Sequence, residues 1–128
     1  MAGTMMGATA VVKREKAMYA VIFEFRVRQG RQDDYFKWAE QLSDQVRAID
    51  GFLGIERFES RSTEDKFVSL SFFRDAEAVA AWRDNPTHGQ AQAAGKTGIF
   101  SEFRLRVAEV KREITLDDDG NRTARDLD

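Results

Sequence analysis

One of the two tryptophans, the only proline and the only histidine fall within Ala81-Trp82-Arg83-Asp84-Asn85-Pro86-Thr87-His88. An imidazole takes up a proton, an indole packs against a ligand and offers its N–H, and a carboxamide can polarise an oxygen, so this stretch is where acid–base chemistry would sit, with no substrate named by it. Asn85-Pro86 reads as a helix start, because Asn caps well and proline at the first helical position gives up an N–H that would be orphaned anyway. His88 then falls in the first turn, where backbone N–H groups disfavour an imidazolium and leave the neutral, proton-accepting form near pH 7. Asp84 opposes that effect. Each residue also has an ordinary structural use: Trp82 and His88 in packing, Asn85 as a cap.

The rest of the composition removes other chemistries. The chain has no cysteine, which excludes disulfides, thiolate nucleophiles and sulfur-ligated metals, and one histidine cannot build a His-rich metal centre. No paired-carboxylate site, phosphate loop or serine triad is visible. The 20 basic and 22 acidic residues are mixed along the chain to a net charge of -2, so there is no basic footprint for nucleic acid. No window approaches the roughly 20 apolar residues of a membrane span, and no charged-then-apolar leader opens the chain; a cytoplasmic location is the resulting expectation.

Positioning that stretch requires a scaffold, and the 128 residues, 42% hydrophobic and 33% charged, suit one compact domain. Residues 1–16 lack sustained periodicity and read as a disordered arm, residues 17–115 as the folded domain, and residues 116–128 as a polar tail with too little apolar surface to fold alone. Tyr19, Val21, Phe23, Phe25 and Val27 alternate with Ala20, Ile22, Glu24, Arg26 and Arg28, the pattern of a strand with one buried face. Tyr35, Trp38, Leu42, Val46 and Ile49 then recur at helical spacing, with Asp33 and Asp34 near the start and a left-handed stop at Asp50-Gly51. Strands over Phe52–Ser60 and Lys66–Phe73 form a hairpin around a five-residue polar loop. A helix capped by Asp75 runs to about Asp84, and a further helix spans Thr87 to about Ala94. The last strand, from Ile99, changes phase beyond Val107, which predicts a bulge near Ala108.

The order strand, helix, strand, strand, helix, strand predicts an α+β, ferredoxin-like βαββαβ fold: a four-stranded antiparallel sheet in the order 4-1-3-2 with the helices on one face. Ala20, Ile22, Glu24 and Arg26 then face outward beside Phe100, Glu102, Arg104 and Arg106. The arginines are expected to pair across strands with Glu24 and Glu102, and the mixed face suits a homodimer that stacks sheets. Phe23, Phe25, Tyr35, Phe67 and Phe72 are candidates to line an apolar substrate cavity beneath the Trp82 helix. Trp38 is assigned to the core.

Between Tyr19 and Ile114 the chain resembles the antibiotic biosynthesis monooxygenase family of dimeric α+β barrels. The resemblance rests on Phe52-Leu53-Gly54, Ser69-Leu70-Ser71-Phe72-Phe73 with Asp75, the Trp82-to-His88 stretch, and Phe103-Arg104-Leu105-Arg106-Val107 with Arg112 beyond. It implies a homodimer that uses dioxygen to oxidise phenolic or quinol-like aromatics with no cofactor, neither flavin nor metal. Trp82 matches the family's tryptophan, and His88 stands where an aromatic or imidazole group follows six residues later. A second branch degrades haem using an Asn on the first strand and a ligand His about ten residues after the Trp. Phe23 and Gln92 occupy those places, which disfavours haem degradation. The expectation is therefore an oxygenase with catalytic residues His88, Trp82 and Asn85; the alternative is a non-catalytic dimer that binds a small hydrophobic ligand.

Overall fold

The computed structural model describes residues 14–15, 17–85 and 98–127. The elements are β1 (Arg14–Glu15), β2 (Met18–Val27), α1 (Gln32–Arg47), β3 (Phe52–Glu59), β4 (Lys66–Phe73), α2 (Ala76–Arg83), β5 (Phe100–Val110), β6 (Arg112–Leu116) and β7 (Arg122–Leu127). Of the arm expected over residues 1–16, Arg14–Glu15 form β1 and the rest up to residue 13, with residue 16, lies outside the described residues, as does the expected helix from Thr87 to Ala94, with His88 and Gln92.

The main sheet is antiparallel with spatial order β3-β4-β2-β5, the 4-1-3-2 arrangement when its four strands are counted along the chain. β2 is an interior strand, paired with β4 on one side and β5 on the other, and on its inner face Phe25 and Val27 are almost inaccessible. α1 lays Tyr35, Ala39, Leu42 and Val46 onto that face, spaced four, three and four residues apart as one side of a helix requires. One core cluster joins Phe25, Val27, Tyr35, Ala39 and Ile99; a second joins Val46, Phe73 and Ala78, with Trp82 packed against it. The Asp75 side chain caps α2 by accepting from the Ala78 N–H at 2.8 Å. On the outer face Arg106 pairs with Glu24 at 3.3 Å, diagonally across β5 and β2.

Three features differ from the sequence reading. β2 and β5 stay in register through Ala20 and Ala108, and the irregularity lies instead where Arg26 faces Glu102 but Val27 faces Phe100, leaving Ser101 as the extra residue. The phase change beyond Val107 comes from the strand ending at Val110 and restarting as β6. Because a bulge residue reverses the alternation behind it, Phe100 leaves the outer face and packs among Phe23, Phe25, Tyr35 and Trp38.

The third concerns the polar tail. Residues 112–127 form the β6–β7 hairpin, and β7 pairs in parallel with β1 to give a second, three-stranded sheet. Backbone pairing, the Arg125–Glu113 ion pair at 2.8 Å and the turn organised by Asp117 hold it together, while Ile114 and Leu116 remain exposed. Its order therefore comes from a turn and from a distant strand, neither of which apolar periodicity registers.

Candidate functional site

A cavity of about 300 Å³ lies between the inner face of the main sheet and the two helices. That volume is at the small end of ligand-binding clefts and accommodates a compact ring system. The sheet contributes alternate residues: Val21, Phe23 and Phe25 from β2, Ile55 and Arg57 from β3, Ser69 and Ser71 from β4, and Phe103 and Leu105 from β5. Register explains the grouping, since Ser69 sits opposite both Phe23 and Arg57, and Ser71 opposite both Val21 and Ile55. α1 closes one side with Tyr35, Trp38, Leu42 and Val46, and α2 closes another with Trp82. Ala78, one helical turn before Trp82, is buried against the sheet and fixes which way that turn faces.

Aromatic rings form much of the wall. Trp38 meets Phe100 edge-on at 5.2 Å, Phe23 stacks on Phe25 at 4.9 Å, and Phe25 meets Tyr35 at 5.1 Å. Such walls favour a flat, apolar guest. The polar groups are few: the two serines, the Tyr35 hydroxyl and Arg57, the one charged residue among the described lining. Arg57 Nη2 donates to the Ala39 carbonyl oxygen at 3.4 Å. Tyr35 is only 2% exposed, and among the described residues its hydroxyl lacks a partner in hydrogen-bonding geometry. Burial pushes the Tyr35 phenol pKa above its ordinary value, and the nearby Arg57 guanidinium pulls the other way.

The structure brings Phe23, Phe25, Tyr35 and Trp82 together around this cavity. Phe67 stacks on Phe25 and Tyr35, both at 5.8 Å, but lines a neighbouring groove that shares Tyr35 and Arg57 with the cavity. Phe72 is one residue out of phase: it sits opposite Ala20 and Gly54 on the other face of the sheet and does not reach the cavity. Asn85 follows the end of α2, where its N–H donates to the Trp82 carbonyl oxygen at 3.2 Å, and it is not part of the lining. His88 lies outside the described residues.

Sequence reasoning missed Arg57, Ser69 and Ser71 as site residues. The signal was present: each shares strand parity with an apolar inward residue, Arg57 with Ile55 and the serines with Phe67 and Phe73. Phe100 carried no such signal, because its side depends on the Ser101 bulge. Trp38 was assigned to the core and lines the cavity as well.

Comparison with known proteins agrees with this architecture. A family model described as antibiotic biosynthesis monooxygenase matches residues 18–94, more than half of the chain. The chain is 37% identical over 97 residues to a jasmonate monooxygenase of Pyricularia oryzae, covering 76% of this chain and 45% of that protein. It therefore spans less than half the length of that relative. Among solved structures, a putative antibiotic biosynthesis monooxygenase from Caulobacter crescentus superposes with a TM-score of 0.68 at 15% identity, covering 76% of this chain and 92% of that one. SnoaB, a cofactor-independent oxygenase from Streptomyces nogalater, superposes at 0.65 with 12% identity, covering 73% and 93%. At those identities the two superpositions speak for the fold alone.

Proposed function

Because the chain belongs to the antibiotic biosynthesis monooxygenase family, we propose that it uses dioxygen to oxygenate a small aromatic, phenolic or quinol-like substrate in the cavity beneath Trp82, without a prosthetic group. The observation that carries this reading is the cavity itself: about 300 Å³, walled by aromatic rings and holding few polar groups. In the proposed reaction His88 accepts a proton from the substrate, giving an anion electron-rich enough to reduce dioxygen. Trp82 orients the developing oxyanion. With an anthrone as substrate, the methylene carbon takes one oxygen atom to become a carbonyl, and its two hydrogens leave with the second oxygen as water.

The functional unit in this reading is a cytoplasmic homodimer that stacks sheet faces. Ile22, Val68, Leu70 and Phe72 share the outer face of the sheet with the Glu24–Arg106 pair, and the described helices pack on the opposite side. Among the described residues no helix is long and apolar enough to cross a membrane. The name of the Pyricularia relative adds jasmonate to the substrates worth testing. The alternative is a non-catalytic binder of small hydrophobic ligands, which the same largely apolar lining would also suit.

Oxygen uptake separates the two. Hydroquinones, anthrones and jasmonate are supplied to wild type, His88→Ala and Trp82→Phe. Loss of a general base lowers the rate by about 10²- to 10⁴-fold, so His88→Ala is expected to be nearly inactive and Trp82→Phe impaired. Equal rates in all three proteins would retire the catalytic assignment.

A further inference from the structure

We infer that the cavity holds its bound ligand as an oxyanion, seated against the Arg57 guanidinium and the Tyr35 hydroxyl. This deepens the oxygenase reading, on which it rests for the cavity's role, by naming the charge of the ligand and the residues that select it.

Three observations converge. First, Arg57 projects from the inward face of β3 into a lining that is otherwise neutral among the described residues. It is half-buried and forms no ion pair among them, and its hydrogen bond to the Ala39 carbonyl engages one of the five N–H donors of a guanidinium. A guanidinium drawn partly out of water into a largely apolar lining carries a desolvation cost that an opposite charge in the cavity would offset. Second, the Tyr35 hydroxyl is buried with the Arg57 guanidinium close enough to act on its pKa, yet no described residue meets it in full hydrogen-bond geometry, so a further oxygen acceptor would complete its bonding. Third, Ser69 stands opposite Arg57 in the β3–β4 ladder, so a further hydroxyl faces the same part of the cavity.

A planar oxyanion on an apolar skeleton satisfies all three at once. One or two oxygens accept from the guanidinium fork and from the phenol, while the rings fill the aromatic wall. The acidic side chains on the other side of the Tyr35–Arg57 wall, Glu40 and Glu59, line the outer groove, are exposed and do not pair with Arg57. The shared chemistry is an organic oxyanion, and it has two sources: a carboxylate or a phenolate.

The test uses binding alone, with the full chain. 2-Naphthoate and 2-naphthamide, matched in ring and differing in charge, are titrated at neutral pH while Trp38 and Trp82 fluorescence is followed. 4-Nitrophenol forms the phenolic arm, because its phenolate absorbance reports the ionisation midpoint of the bound molecule. Naphthoate is expected to bind about tenfold to a hundredfold more tightly than the amide, or the nitrophenol midpoint to fall on binding. The first result identifies a carboxylate as the preferred source, the second a phenolate. Either preference is expected to disappear in Arg57→Met, to survive in part in Arg57→Lys and to weaken in Tyr35→Phe.

Failure of naphthoate to bind better than the amide, together with a nitrophenol midpoint that does not fall, would overturn the inference from the wild-type protein alone, whatever the variants do. An anion preference undiminished in a folded Arg57→Met would overturn the assignment to Arg57. A chain that prefers anions yet consumes no oxygen with any substrate contradicts the oxygenase reading and supports this one. Oxygen consumption without charge preference does the reverse.

Discussion

Replacing Gly51 with alanine should displace the helix that carries Trp82, and the size of the effect follows from two separable costs. Gly51 lies between α1 and β3 at φ +93°, and its carbonyl oxygen accepts from the Arg74 N–H at 2.7 Å, so it ties the end of α1 to the turn before α2. A side chain in left-handed backbone costs about 1–2 kcal/mol. An added Cβ would also stand 2.8 Å from the Ala78 Cβ, and because that atom is fixed to the helix backbone, α2 has to move. Overpacking of this kind adds about 1–3 kcal/mol. Gly30→Ala is the control: its φ is +85°, but nothing lies within 4 Å of the new Cβ, so only the backbone cost of about 1–2 kcal/mol applies. Urea unfolding followed by tryptophan fluorescence measures both variants. Gly51→Ala should lose clearly more stability than Gly30→Ala and alter the near-ultraviolet circular dichroism of the tryptophans. Equal losses in the two variants would refute the claim that Gly51 is held tightly against α2.

Further predictions concern other parts of the fold. Tyr35→Phe removes a buried hydroxyl that lacks a well-formed hydrogen bond, so the ligand-free protein should keep its stability or gain up to about 1 kcal/mol in thermal or urea unfolding; a loss of several kcal/mol would show that the hydroxyl is well bonded. Deletion of Ser101 removes the bulge but leaves Phe100 next to Glu102 and opposite Val27 on the inner face, so the Phe100–Trp38 contact and tryptophan emission should be preserved; a shifted spectrum would contradict the assigned register. The Asn121 N–H, and then that of Asp119, donate to Asp117 and hold its carboxyl below the ordinary aspartate value of 3.8. Since a depressed pKa favours the ionised folded form, the turn keeps this stabilisation above that ordinary value and loses it as pH falls through the lowered one. The Asn121 amide resonance should titrate with a midpoint below 3.8, and a midpoint at or above that value would contradict the assigned bonds.

Much of the scaffold was legible because it is written in local periodicity. The alternation from Tyr19 to Val27 and the helical spacing from Tyr35 to Val46 each point to one buried face, and the structure buries Phe25, Val27, Tyr35, Leu42 and Val46 accordingly. Topology followed from the handedness of the connections between those elements. The site was legible only in part. Phe23, Phe25, Tyr35 and Trp82 share the cavity, but Phe72 belongs to the opposite strand parity, and counting phenylalanines without tracking parity placed it wrongly. Arg57 was readable from its step of two beyond Ile55, yet an arginine on an inward position reads more readily as an ordinary surface charge. Phe100 and the β6–β7–β1 sheet depend on a bulge and on pairing between distant ends of the chain, and neither leaves a period in the local sequence.

The oxygenase claim meets its most direct test in isotope labelling. An anthrone is supplied to the wild-type chain under ¹⁸O₂ in ordinary water, and the product is weighed by mass spectrometry. One labelled oxygen atom per quinone, formed faster than in buffer, is the result expected from oxygenation beneath Trp82. Product that carries no label, or that appears no faster than in buffer, would contradict it.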